Sequence, residues 1–131
     1  MATTRAAPPA QRPGLMFRFG RLLTAFKLKG LALRAFRGLA RRDPGNGEAW
    51  SCIGFILAER RQFEEALAAF ERARALAPED AALQFNAAFV LQRLGRHGEA
   101  IEGFRRALAL DAGLERARAA LAWSEARIDA H

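Results

Sequence analysis

A repeat constrains this chain more than any other feature. The stretch GEAWSCIGFILAERRQFEEALAAFERARALAPED, from Gly47 to Asp80, recurs when it is slid by multiples of 34 residues. Gly54 falls on Gly20, Ala88 and Ala122, and Ala66 falls on Ala32 and Ala100. Phe70 falls on Phe36 and Phe104, Leu67 on Leu33 and Ile101, Ala73 on Leu39 and Ala107, and Pro78 on Pro44. A fixed period of a few tens of residues implies one supersecondary unit stacked on copies of itself. Each copy covers an apolar face that the unit cannot bury alone.

Within each unit the apolar spacing is helical. Leu15, Phe19, Leu22, Leu23 and Phe26 form one stripe. After a turn at Lys27–Gly30, Leu31, Ala32, Ala35, Phe36 and Leu39 form a second, which ends near Arg42 because Pro44 pushes the residue before it away from helical geometry. Asn46 is a natural N-cap for the next helix, and Glu48 and Glu99 favour the first turns of theirs. Helices are expected at about 47–60, 63–76, 81–94 and 97–110. The turns Arg61–Gln62 and Gly95–Arg96 are short enough to make the paired helices antiparallel neighbours. A last helix, about 114–129, repeats only the first half of the unit. It carries Leu121, Ala122 and Ile128, with Arg118 and Glu125 making its outer face polar. The small residues Gly20, Gly54, Ala66, Ala88 and Ala100 let helix backbones approach while Phe36, Phe70 and Phe104 fill the adjoining gaps.

The order W-x2-I-G-x2-L at Trp50, Ile53, Gly54 and Leu57 is followed by A-x3-F-x2-A at Ala66, Phe70 and Ala73, then Pro78. This order and its period resemble the tetratricopeptide repeat. In the first unit Met16 and Phe19 stand in for the usual first-helix residues. The resemblance implies an all-α fold, an α-α superhelix built as a solenoid of antiparallel helix pairs. Residues 14–131 would be one such domain, with repeats at about 13–46, 47–80 and 81–114 and a capping helix at about 114–129. Residues 1–13 carry Ala, Pro and Thr with almost no large apolar side chain and are expected to be a disordered tail.

With 131 residues, 51% apolar and 27% charged, the chain has room for one globular domain or one short solenoid. The longest uncharged apolar stretch near its start, Leu22 to Phe26, is far short of the roughly 20 residues of a membrane span or the roughly 7–15 of a secretory core. A cytoplasmic location is therefore expected. The single cysteine, Cys52, excludes an internal disulfide framework and is expected to be a buried, inert thiol. Arginine far exceeds lysine and alanine is abundant, a composition typical of GC-rich bacterial genomes.

Charge is unevenly spread. Residues 1–46 hold ten Lys/Arg and only Asp43, for +9, while the remainder sums to −2. The basic third has three readings. It is the ordinary solvated face of the first helices. It attracts an acidic partner, nucleic acid or an anionic membrane through Arg18, Arg21, Lys27, Lys29, Arg34, Arg37, Arg41 and Arg42. Or it is an organellar leader, against which stands its retention of the 34-residue phase. No RNA-binding motif or helix-turn-helix accompanies the charge, so a specific nucleic-acid reader is not expected.

No catalytic constellation has the required spacing, His97 and His131 suit neither metal nor base chemistry, and no cofactor motif is present. A non-enzymatic adaptor is the expectation. In proteins similar to this one, the first helix of each repeat lines a concave groove, with ligand contacts at fixed positions around the small residue. Carried over residue by residue, these are Phe17, Arg18, Arg21 and Thr24, then Ser51, Cys52, Phe55 and Glu59. They continue as Phe85, Asn86, Phe89, Gln92 and Arg93, then Ala119, Trp123 and Arg127. With Arg116 nearby they describe an aromatic groove rimmed by positive charge, suited to a peptide segment of a partner protein with acidic and apolar residues. Asn86 is expected to hold the backbone of an extended peptide through its amide. Of a carboxylate clamp only Asn86 is present, since Phe17 and Arg21 occupy the places of the first pair. Two other readings stand beside the groove: a charge-driven tether through the basic helices, and a self-associating structural module that stacks through its last helix.

Overall fold

The structure, a computed structural model, describes residues 15–129, with side chains from residue 25 onward. Six helices follow one another: α1 Leu15–Arg42, α2 Gly47–Glu59, α3 Phe63–Leu76, α4 Ala81–Arg93, α5 His97–Leu110 and α6 Glu115–Asp129. Among the described residues there is no strand. The chain divides into two compact units, Met1–Ala32 and Leu33–His131. Residues 1–13, where a tail is expected, lie outside the described residues.

In the first unit the described chain is the N-terminal stretch of α1, and here one expectation fails. The turn at Lys27–Gly30 does not form, and residues 15–42 run as a single helix of 28 residues rather than a helix pair. In the later repeats the chain reverses through a left-handed residue, Arg61 with φ 62° and Gly95 with φ 78°. Lys27 occupies the equivalent place, 34 residues before Arg61, and stays helical. A side chain at a left-handed position costs roughly 1–2 kcal/mol. Breaking the helix would also require a second nucleation. Lys-Leu-Lys is a good helix-forming run, so continuation wins. Leu28 and Leu31 remain about 60% exposed.

The second unit follows the repeat closely. Helices α2 with α3 and α4 with α5 are hairpin neighbours, α3 lies against α4, α5 against α6, and α4 also touches α6. Local chemistry fixes where the helices begin. The Asn46 side chain accepts a hydrogen bond from the Ala49 N–H at 3.1 Å, and Asp80 accepts from the Ala82 and Leu83 N–H groups. Both satisfy donors that a helix start leaves without partners.

The core is built from the recurring positions. Ala66, Ala88 and Ala100 are fully buried, and Phe70 and Phe104 are at most 2% exposed. A Cβ on Gly54 would stand 2.8 Å from the Phe70 ring, so glycine is what lets α2 and α3 close on that phenylalanine. Gly103 does the same for α5 and α4, where an added Cβ would lie 2.7 Å from the Ala88 Cβ. The ending helix departs from expectation in one respect. Ala122 and Ile128 are exposed, and the buried residues of α6 are Ala117 and Ser124.

Candidate functional site

Helices α2, α4 and α6 each carry an aromatic residue at the same repeat position: Phe55, Phe89 and Trp123, spaced by 34. All three stay open to solvent, at 54%, 40% and 45%. Positions that recur for packing are buried in this unit, and these are not.

Phe55 and Phe89 line a cavity of about 260 Å³ together with Ala58, Glu59, Phe70, Asn86, Val90 and Arg116. Phe85, also expected in the groove, forms part of its wall and is only 7% exposed. Its ring packs 5.7 Å from Phe104 and 6.3 Å from Phe89, so most of its surface is spent on the core. Phe55 meets Phe70 edge-on at 6.5 Å, a geometry favoured by the ring quadrupoles. Phe89 continues into a second, wider cavity of about 540 Å³ with Gln92, Arg93, Ala119, Ala120 and Trp123. The two meet at Phe89 and run along α4 and α6.

The cations beside these rings have an unusual situation. The Arg116 guanidinium lies 5.1 Å from the Phe85 centroid, and Arg127 lies 4.2 Å from Trp123. Arg93 turns toward Phe63 of α3 at 5.5 Å. Stacking of this kind holds a guanidinium in place without neutralising it. None of the three has a carboxylate partner among the described residues. By contrast Arg74, Arg96, Arg105, Arg106 and Arg118 all pair with a glutamate. Asn86 is half-buried in the cavity wall, and among the described residues no other side chain hydrogen-bonds its amide.

Several candidate residues are placed differently. Phe17, Arg18, Arg21 and Thr24 lie on α1 where side chains are outside the described residues. Ser51 is half-buried and does not line either cavity. Gln92 spends its amide inside the fold, donating to the Ser124 Oγ at 2.9 Å and the Ala120 carbonyl at 3.2 Å. It ties α4 to α6 and explains the buried serine, a pairing across 32 residues that no local pattern announces. His97 packs against Trp123 with ring centroids 5.6 Å apart. Cys52 is half-buried rather than buried, and desolvation followed by the nearby Glu48 carboxylate holds its thiol above the ordinary cysteine value. Among the described residues no three His, Cys, Asp or Glu side chains converge as metal ligands, and no helix is long and apolar enough to cross a membrane.

Known proteins share this architecture. The MamA structure from Desulfovibrio magneticus, residue 41 to its end, superposes with a TM-score of 0.73 at 22% identity, covering 86% of this chain and 63% of that one. The type III secretion chaperone SycD of Yersinia enterocolitica, solved with a peptide of the translocator YopD, gives 0.69 at 19%, covering 79% and 94%. Both are likenesses of fold. The peroxisomal targeting signal receptor of Kluyveromyces lactis is 29% identical over 104 residues, which is 79% of this chain and only 18% of the receptor. A tetratricopeptide repeat profile matches residues 46–112, the stretch that holds both complete helix hairpins and their caps. The chain belongs to the tetratricopeptide repeat family.

Proposed function

We propose that the chain is a non-enzymatic adaptor that binds a peptide segment of a partner protein along α2, α4 and α6. The observation that carries this reading is the row of exposed aromatics Phe55, Phe89 and Trp123, flanked by stacked arginines without carboxylate partners. A ligand with apolar side chains covers the rings, and a ligand with carboxylates neutralises Arg116 and Arg127. Aromatic and arginine residues are those that most often dominate binding energy when an interface buries them. Asn86 offers its free amide to a ligand backbone, which presents one donor and one acceptor per residue. The fold of SycD, solved holding a translocator peptide, supports the reading.

The test is capture with a photo-crosslinker at Asn86, comparing wild type with Phe55→Ala/Phe89→Ala/Arg116→Ala. All three substituted residues are exposed, so circular dichroism should show the variant still helical. Crosslinked peptides rich in acidic and apolar residues that vanish with the folded variant are expected. Partners that ignore the variant and disappear with added salt would move function to the basic helix α1.

A further inference from the structure

Helix α2 is apolar on two opposite faces. Phe55, Ala58 and Glu59 turn toward the groove, whereas Trp50, Ile53 and Leu57 turn toward a third cavity, of about 360 Å³. At 3.6 residues per turn the two sets lie roughly half a turn apart. The other walls of this third cavity come from the C-terminal part of α1 and from α3. Its volume lies in the range of about 300–1,000 Å³ typical of ligand pockets.

The floor and the rim differ sharply in chemistry. Ala40, Ile53, Leu57 and Ala69 form an apolar floor, each at most 4% exposed. On the rim, Arg37, Arg41 and Arg72 face a single carboxylate, Glu65, which Arg37 already meets at 3.4 Å. Arg72 stacks on the Trp50 indole at 4.9 Å, and that indole is fixed by its N–H donating to the Pro44 carbonyl at 3.0 Å. Neither Arg41 nor Arg72 has a carboxylate partner among the described residues. One repeat further on, three of these places carry a charged or polar residue, while Arg41, Ile53 and Ala69 are followed by the smaller Ala75, Ala87 and Gly103. Arg74 replaces Ala40 and bonds Glu71, Glu102 replaces Ala68, and Gln84 replaces Trp50 and donates to the Pro78 carbonyl. The small side chains of Ala40 and Ala68 beside this opening are thus ones that the repeat does not demand.

We propose that this cavity is a second binding site, on the opposite face of α2 from the groove, for a short acidic segment of a partner protein. The segment carries one bulky apolar side chain with a carboxylate within a residue or two of it. The apolar group rests on the Ala40/Ile53/Leu57 floor against Trp50, and the carboxylate lies between Arg41 and Arg72. Charge decides in favour of such a segment: Arg41 and Arg72 have no carboxylate partner among the described residues and line the same cavity as the floor, so an acid next to the buried apolar group falls within their reach. A phosphate backbone would use the arginines and leave the floor uncovered. The chain would then bridge two segments through one helix. The inference stands apart from the groove reading, because the residues are different.

The chain contains two tryptophans, one at each site, so each can report separately. The full chain carrying Phe55→Asp/Phe89→Asp, which blocks the groove, is immobilised and used to select from a displayed library of random short peptides. A parallel selection uses the same protein with Arg41→Glu/Arg72→Glu; both arginines are exposed, so its helices should persist. The expected result is a set of peptides pairing a bulky apolar residue with an acid, weakened about tenfold or more by the charge reversal, as expected for loss of about 1.4 kcal/mol. In a Trp123→Phe background these peptides should shift the emission of Trp50. Ala40→Arg, which installs what the next repeat carries at Arg74, fills the cavity while adding positive charge and should also abolish binding. No enrichment over the reversed bait overturns the proposal, as do selected peptides without acids or an unmoved Trp50 signal. Binding of polyuridylate or of anionic vesicles that survives Ala40→Arg but not Arg41→Glu/Arg72→Glu would also overturn it, showing a charged surface and no pocket.

Discussion

Gly103→Ala tests the close approach of α4 and α5 directly. In an ordinary helix interior the substitution stabilises by about 1 kcal/mol, because alanine loses less conformational freedom than glycine. Here the new Cβ would sit 2.7 Å from the Ala88 Cβ and 3.4 Å from the Ala88 Cα. A methyl fixed to a helix backbone has no rotamer through which to retreat, so the two helices must move apart. Overpacking of this kind costs about 1–3 kcal/mol, and the rigid neighbour places it at the upper end. Subtracting the propensity gain leaves a net loss of about 1–2 kcal/mol. Gly98 is the internal control: it lies in the same helix, and a Cβ added there would meet nothing within 4 Å. Gly98→Ala should therefore be neutral or stabilising by up to about 1 kcal/mol. Urea unfolding followed by circular dichroism reads both. The compensating pair Ala88→Gly/Gly103→Ala should recover part of the loss, giving a favourable coupling in the double-mutant cycle. If Gly103→Ala is as stable as wild type, or the pair shows no coupling, the close crossing is not what fixes glycine there.

Asn46→Ala and Asp80→Ala each remove a helix cap and should each cost about 1 kcal/mol; because they cap different helices, the losses should add in urea titrations. Ser124→Ala should cost about 1 kcal/mol, since the Gln92 amide keeps its bond to Ala120, whereas Gln92→Ala should cost more by leaving a buried hydroxyl without its partner. Cys52 should be alkylated by iodoacetamide more slowly in the folded chain than after unfolding, because a raised thiol value means less thiolate at neutral pH. Glu48→Gln removes one of the two causes, so it should lower the pH midpoint of the alkylation rate while burial keeps it above that of the unfolded chain; an unchanged or higher midpoint would contradict the assignment.

Most helix limits are legible in the sequence because they rest on local chemistry. Asn46, Pro44 and the short turns at Arg61–Gln62 and Gly95–Arg96 put the ends of α2 through α5 within about a residue of those observed. The first hairpin is not legible, because the turn carries no obligatory residue: Arg61 adopts a left-handed conformation and Lys27, its counterpart, does not. The apolar repeat phase marks where a turn would fall but not whether the local helix preference of Lys-Leu-Lys overrides it. The exposure of the candidate aromatics is not legible either. Phe85 and Phe89 are four apart on one helix face, yet Phe104 from α5 covers the first and leaves the second open. The charge pairing is hidden too, since Arg37 finds Glu65 across 28 residues and Arg105 finds Glu125 across 20. Which arginines remain without an acid, and hence where a carboxylate could bind, emerges only in three dimensions.

The repeat and the candidate sites are linked through α2 and Phe70. Phe70 is a signature position, buried to 2% exposure, and its ring fills the space that Gly54 leaves. The same ring forms part of the groove wall and supports Phe55 edge-on. Shape at the groove is thus a by-product of the packing that any such repeat needs, and the signature residues alone cannot distinguish one ligand from another. Under the proposed readings, chemistry enters through positions that the packing leaves open: Phe55, Phe89 and Trp123 on one side of the first helices, Arg41 and Arg72 on the other. Variants at these positions should alter binding with little change in stability, and variants at Gly54 or Phe70 should alter both. On the proposed reading, that separation places ligand specificity at the exposed repeat positions rather than in the motif that identifies the fold.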